Sequence, residues 1–391
     1  MKSLIIIFLS FFTLIGIRAQ NNIEEVLRNI ESNNKALKAN TQLSQSKKLE
    51  ASVGNTLPDP NIAYDHLWSS PKTLGTSREL TISQGFDFPT VYTNRNKLVK
   101  LKSSLYDQQD WELRQTILLD AKLVCIDIIA LNRLLEYQNI RLQNARQLSE
   151  LYKKRVSEGD ANILESNRID MELLNIQTES RRTKSALETK RKELQSFNGG
   201  IPISLNGTTY TPVTLPTDFD TWKVEALTAD ASLIALEKEK EIAQREIKLN
   251  QSQWLPKFEL GYKREAGEDV SNGITFGVSI PLYENKNKIK QAKAMSLYTD
   301  MQIESSRMIN ETTLQGIYTQ AISLEKSKQD YERLLNSQNT LDLLKKALNE
   351  GQISLSEYFV EAIQVYQTIE NYIQLESEYQ KLVAQLYKYR L

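Results

Sequence analysis

Apolar and polar residues along this chain keep two periods, and each period occurs twice. Over about 91–156, apolar residues follow a 4-3 spacing: Ile117, Ala121, Val124, Ile128, Leu131, Leu135, then Leu142, Ala145, Tyr152 and Val156. Gln138 and Ser149 are the polar exceptions. This is a heptad seam, the mark of helices packed as in a coiled coil. A second stretch, about 284–349, is more polar. There Leu314, Ile317, Ala321 and Leu324 keep the spacing, and Leu341, Leu344 and Leu348 resume it one position shifted. Neither stretch contains proline, and at 1.5 Å per residue each predicts a helix of roughly 100 Å.

The second period is two. Leu80, Ile82, Phe86 and Phe88 alternate with Thr81, Ser83, Gly85 and Asp87. Ile274, Phe276, Val278 and Ile280 alternate with Thr275, Gly277 and Ser279. Phe258, Leu260 and Tyr262 do the same, as do Ile62 and Tyr64 beside Ala63 and Asp65. Four strands with one apolar and one polar face follow. A soluble hairpin and a transmembrane strand of ~10 residues share this signature.

Both periods belong to an internal duplication. Gly159 and Gly351, Glu165 and Glu357, Pro89 and Pro281 all stand 192 residues apart. Leu57-Pro58 and Leu255-Pro256 pair at an offset of 198, so the first copy holds a longer loop between its strands. We read a first unit at 20–200 and a second at 222–391, joined by 201–221. Each unit runs in the same order. A polar helix (about 22–55, 222–253) ends toward the Leu-Pro pair, because a residue before proline leaves the α region. Two strands follow, then the long helix, then a reversal at Glu158-Gly159 or Glu350-Gly351, where glycine suits a left-handed cap. Return helices occupy about 162–196 and 354–390. The joining segment is rich in glycine and proline, with β-prone pieces such as Thr208-Thr209-Tyr210.

Composition narrows the setting. Lys2, an apolar run from Leu4 to Ile15 and Ala19 read as a cleaved export signal over 1–19. The run is short of the ~20 apolar residues that span a bilayer, and no later segment approaches that length. Lys+Arg and Asp+Glu both number 49, which leaves no basic field for nucleic acid. The single cysteine, Cys125, excludes an intramolecular disulfide and reads as a small packed residue. No lipid-attachment cysteine stands near Ala19. Long polar segments and few aromatics point to elongated helices rather than globular cores. Together with the export signal, this favours strands in a membrane. Four strands cannot close, and an open edge is not tolerated in lipid. Two copies supply eight strands and three supply twelve.

The residues Leu57-Pro58-Asp59-Pro60, Phe86-Asp87-Phe88-Pro89, Leu255-Pro256-Lys257-Phe258 and Ile280-Pro281-Leu282-Tyr283 bracket the strands. Twin tips read Glu158-Gly159-x-x-x-Ile163-Leu164-Glu165 and Glu350-Gly351-x-x-x-Leu355-Ser356-Glu357. In this order and spacing the chain resembles the TolC family of outer-membrane factors, including its heavy-metal-efflux branch (CusC- and CzcC-like), over 21–391. The resemblance implies a mainly α fold with a small β part: duplicated helical hairpins forming a coiled-coil α-barrel, with four strands per chain joining a trimeric, 12-stranded transmembrane β-barrel. It implies a homotrimer in the outer membrane of a Gram-negative bacterium, in contact with lipid, with a periplasmic tunnel. This would be the passive conduit of a tripartite efflux or type I secretion system.

The family's partners are a periplasmic adaptor (a membrane fusion protein) and an inner-membrane transporter of RND or ABC type. The match places adaptor docking at Glu158, Gly159, Ile163, Leu164, Glu350, Gly351 and Leu355. Acids near the second tip narrow the entrance in the family. Glu357 and Glu361, four apart on one helix face, are the candidates here, although a solvated face accounts for them more simply. The membrane-facing strand residues would be Leu80, Ile82, Phe86, Phe88, Phe258, Leu260, Tyr262, Ile274, Phe276, Val278 and Ile280.

No phosphate-binding loop, nucleophile elbow or Cys/His cluster is present in the sequence. The lone histidine, His66, cannot build a zinc centre, and Met295, Met301 and Met308 read as gap-fillers. No cofactor, metal or catalytic residue is expected, and the carboxylates of the helices read as surface charge. The competing reading is an exported coiled-coil structural or adaptor protein without a pore.

Overall fold

The computed structural model describes residues 22–68, 70, 75–267, 269–337 and 340–391. The expected export signal, 1–19, lies outside the described residues. In chain order the elements are α1 (Ile23–Asn33), α2 (Lys35–Ser52), β1 (Asn61–Trp68), β2 (Thr76–Phe86), α3 (Pro89–Glu158) and α4 (Ile163–Phe197). Then come α5 (Phe219–Thr228), α6 (Ala231–Ser252), β3 (Lys257–Ala266), β4 (Val270–Ser279), α7 (Lys288–Ser337), α8 (Thr340–Asn349) and α9 (Leu355–Leu386). A 3-10 turn, Lys388–Arg390, closes the chain.

The spine is α3, one helix of 70 residues. Pro89 opens it at the first helical position, where a missing N–H costs nothing. Along its heptad seam Ile117, Ala121, Val124 and Ile128 are buried, whereas Leu131, Leu135, Leu142 and Val156 are half-buried; Cys125, beside the seam, is buried too. Each large aliphatic side chain taken from water there stabilises the packing by about 1.5–3 kcal/mol. Burial pushes the Cys125 thiol up to about 12, so it behaves as a small apolar residue. The two polar exceptions occupy the seam as well. Gln138 is 3% exposed and Ser149 4%. Ser149 is satisfied across the interface, its hydroxyl donating to Asp170 of α4 at 2.6 Å.

Both polar helices are broken. α1 and α2 meet at Asn34, which leaves the helical region at ψ 123°. Its side chain accepts from the Leu37 N–H (3.0 Å) and donates to the Phe197 carbonyl (2.8 Å). The break is thus fixed by a contact with the far end of α4. α5 and α6 part in the same way at Asp230, whose carboxylate caps α6 at the Leu233 N–H. α2 and α6 end at Ser52 and Ser252, short of the Leu-Pro pairs. In both, the serine hydroxyl donates back to a helical carbonyl (Leu49, Leu249) and the helix stops there.

Between α4 and α5 the chain forms no strand. It straps across α3, with Leu205 buried, the Tyr210 hydroxyl donating to the Ile126 carbonyl (3.1 Å) and Asn132 donating to the Leu205 and Gly207 carbonyls. α5 packs Trp222 and Phe219 against Tyr318 of α7 and against Tyr387 and Tyr389 at the C-terminus. No helix among the described residues is long and apolar enough to cross a membrane.

Candidate functional site: a two-faced sheet and twin hairpin tips

The four strands form one antiparallel sheet in the order β1-β2-β3-β4, so strands from the two halves meet at β2 and β3. The register aligns the apolar residues into rows. Ile62, Ile82, Tyr262 and Ile274 form one row, and Phe86, Phe258 and Val278 another. Leu260 pairs with Phe276, and Tyr64 with Leu80. Since side chains alternate along strands, these rows share one face. That face has no cover: Ile274 is 81% exposed, Phe276 69% and Ile62 67%.

Two of the eleven predicted strand residues lie outside the strands. Phe88 caps α3, and Ile280 follows the end of β4. In both cases a proline comes next, and it can neither extend a strand nor donate to a ladder. The Phe88 ring still lies 6.3 Å from Phe258, which stacks on Phe276 at 6.1 Å. An aromatic run therefore borders the helical end of the apolar face. His66 is exposed in β1, its ring 5.4 Å from Trp68.

At the other end of the long helices, the two tips repeat one backbone design. Gly159 and Gly351 take φ of 80° and 70°, a conformation that costs residues with a Cβ. Asp160 N–H donates to Arg155 carbonyl and Gln352 N–H to Ala347 carbonyl, both at 2.8 Å, so two orphan carbonyls are satisfied alike. Asn162 with Glu165, and Ser354 with Glu357, then build reciprocal capping boxes.

The side chains diverge. Ile163 and Leu164 are 57% and 69% exposed, whereas Leu355 is 2% exposed. The expectation that Leu355 is presented for docking is corrected: it packs with Tyr152, Ile169, Tyr358 and Phe359 in a core between the hairpins. Glu158 and Glu350 are exposed and bridge the preceding turn to Lys154 and Lys346. The Glu357 carboxylate is engaged by the Ser354 N–H at 2.7 Å, which, with the Ser354 hydroxyl, holds it below the usual carboxylate range. Glu361 is exposed one turn further along.

Between sheet and tips, α3 holds both return helices by ion pairs, so several carboxylates expected as surface charge are engaged between helices. Asp127 meets Lys190 of α4 and Lys381 of α9. Arg133 pairs with Glu376 of α9. Arg141, 7% exposed, reaches Glu172 (2.5 Å) and Glu179 (3.0 Å) on α4 and Glu370 (3.8 Å) on α9, over the Tyr366 ring. Burial, with Glu179 adding to it, pushes the Glu370 carboxyl up against the pull of Arg141. Met295, Met301 and Met308 are exposed along α7 and fill no gap within this chain.

Paired helical hairpins below an amphipathic four-stranded sheet define the TolC-like fold. No protein-family model matches the sequence, and no curated protein matches it. Solved structures do. CusC, studied for conformational changes accompanying folding and transmembrane channel formation, superposes with a TM-score of 0.78 at 14% identity, covering 95% of this chain and 92% of that one. VceC, an outer membrane protein of Vibrio cholerae, gives 0.72 at 13%, covering 93% and 94%. MtrE, the outer membrane channel of Neisseria gonorrhoeae in its open state, gives 0.71 at 14%, covering 94% and 88%.

Proposed function

We propose that this chain is one subunit of a trimeric outer-membrane channel, a passive conduit from periplasm to exterior rather than an enzyme. The observation that carries the reading is the sheet. It is apolar on one uncovered face, polar on the other, and ends in unpaired edges at β1 and β4. Lipid covers such a face, but bare edges in lipid leave backbone groups unsatisfied at several kcal/mol each. Joining copies edge to edge removes the edges, and three copies make a barrel of the size the TolC-like fold implies. The duplicated units, 20–200 and 222–391, then supply one helical hairpin each to a tunnel, and 201–221 crosses its waist.

The tips, facing the periplasm, are where an adaptor and through it an inner-membrane pump would dock. Ile163 and Leu164 beside Glu158 and Gly159 offer apolar contact, and Glu350 and Gly351 complete the rim. The likeness to MtrE and CusC in fold supports the channel. Membrane fractionation followed by mass analysis in detergent tests it. A trimer from the outer membrane is the expected result. A soluble periplasmic monomer or dimer would sink the channel and leave an exported coiled-coil protein.

A further inference from the structure

In each half of the chain the start of one helix meets the end of its return helix, and only one of these two junctions is closed. Beside α3, the start of α2 meets the end of α4. The Asn34 amide donates to the Phe197 carbonyl, and the Asn33 amide donates to the Asn198 side-chain oxygen at 3.0 Å. Gly199 lies so close that a Cβ there would collide with the Asn33 carbonyl oxygen. The corresponding pair, α6 and α9, packs between α3 and α7. There the start of α6 and the end of α9 are parted by a cavity of about 270 Å³. Its walls are apolar at Leu119, Leu314, Ile317 and Leu386.

The polar groups at this cavity are unspent. Glu112 and Lys388 line it and are half-buried, yet neither side chain has a hydrogen bond or an ion pair among the described residues. The side chains of Asn310 and Gln385 stand there in the same way. The Ala231 and Ser232 N–H groups, in the first turn of α6, find no acceptor among the described residues either. Donors at a helix start favour a negative group. A closed joint spends such groups on each other, as the first junction does. Apolar walls with a few convergent polar groups are instead the lining of a small-molecule site.

We infer that this cavity binds a small zwitterion with an apolar body, of the size of phenylalanine. Lys388 and the N–H groups that open α6 meet its carboxylate. Glu112 meets its ammonium, and the apolar walls take its body. The occupant joins the ends of α6 and α9, as hydrogen bonds join α2 and α4. The cavity is formed within one chain, so the inference stands apart from the trimer proposed above.

Titration calorimetry of the purified full chain with phenylalanine tests this. Saturable binding is expected. Phenethylamine, which lacks the carboxylate, and hydrocinnamate, which lacks the ammonium, should each bind at least about tenfold more weakly. Glu112→Gln should erase the advantage of phenylalanine over hydrocinnamate, and Lys388→Gln should shrink its advantage over phenethylamine. Ala226→Leu, which fills the cavity, should abolish binding while helical circular dichroism is kept. A folded chain that binds no phenylalanine overturns the inference and leaves the channel standing. So does binding that neither charge variant weakens. Phenylalanine binding by a soluble monomer, lost in Ala226→Leu, keeps the site and sinks the channel.

Discussion

The two hairpin tips share a backbone and differ in what they show. Each ends its long helix on a left-handed glycine, recovers the same pair of carbonyls and restarts with a capping box. Position for position, however, Ile163 corresponds to Leu355 and Leu164 to Ser356. The first tip exposes two aliphatic side chains, while the second turns its leucine inward and presents the exposed Ser356 hydroxyl. Duplication thus conserved the turn, whose geometry is local. It released the surface, which answers to neighbours. Arg168 of the first hairpin crosses to Ser356 of the second at 2.8 Å, so the tips also touch.

The largest effect should come from Arg141, which ties the first hairpin to the second. Arg141→Ala strands Glu172 in a buried setting, and removing one partner of such a cluster costs about 3–5 kcal/mol. Thermal unfolding should show this loss, and a shift near zero would mean the two hairpins are held by other contacts. Next is Leu355→Ala, a deletion from a closed core, expected to destabilise by about 2–5 kcal/mol. Its counterpart Ile163→Ala should change stability by less than about 0.5 kcal/mol, while weakening capture of an adaptor. Equal losses at the two positions would erase the contrast between the tips.

The caps should behave alike. Asn162→Ala and Ser354→Ala each remove an N-cap worth about 1 kcal/mol. In Ser354→Ala, the backbone N–H that chiefly holds the Glu357 titration low is kept and only the hydroxyl is lost, so that titration should move only part of the way back toward an ordinary glutamate. The smallest effect concerns Glu370. Its folded-state pKa is raised, so ionisation opposes folding, and the penalty grows as pH rises past the unfolded pKa toward the folded one. Glu370→Gln should therefore raise the melting temperature slightly at pH 7 and match the parent in acid, where Glu370 is protonated.

What the sequence made legible was local or periodic. Alternation marked all four strands, heptads marked α3, and glycines at equal offset marked both tips. Breaks and pairings set by distant residues were not legible. Asn34 breaks a helix because Phe197 offers a carbonyl to it, and nothing near Asn34 announces that partner. Glu172, Glu370 and Glu376 look like any surface glutamates until α3 brings arginines against them. Leu355 and Ile163 are indistinguishable as motif positions, and only the packing of Tyr152 and Phe359 separates them. Phe88 and Ile280 continued the alternation past the last paired residue, since periodicity does not record where a proline stops a ladder.

The strap over α3 has a mechanical consequence. It grips the helix at Ile126 and Asn132, close to the middle of a rod that runs from Pro89 to Glu158 without a hinge. At 1.5 Å per residue that rod is about 105 Å long. The bending stiffness of a cantilever falls with the cube of its free length. Clamping at mid-span therefore leaves two short, stiff arms in place of one compliant beam. A sideways push on the tip is resisted at the waist, and the strands beyond it are shielded from the strain.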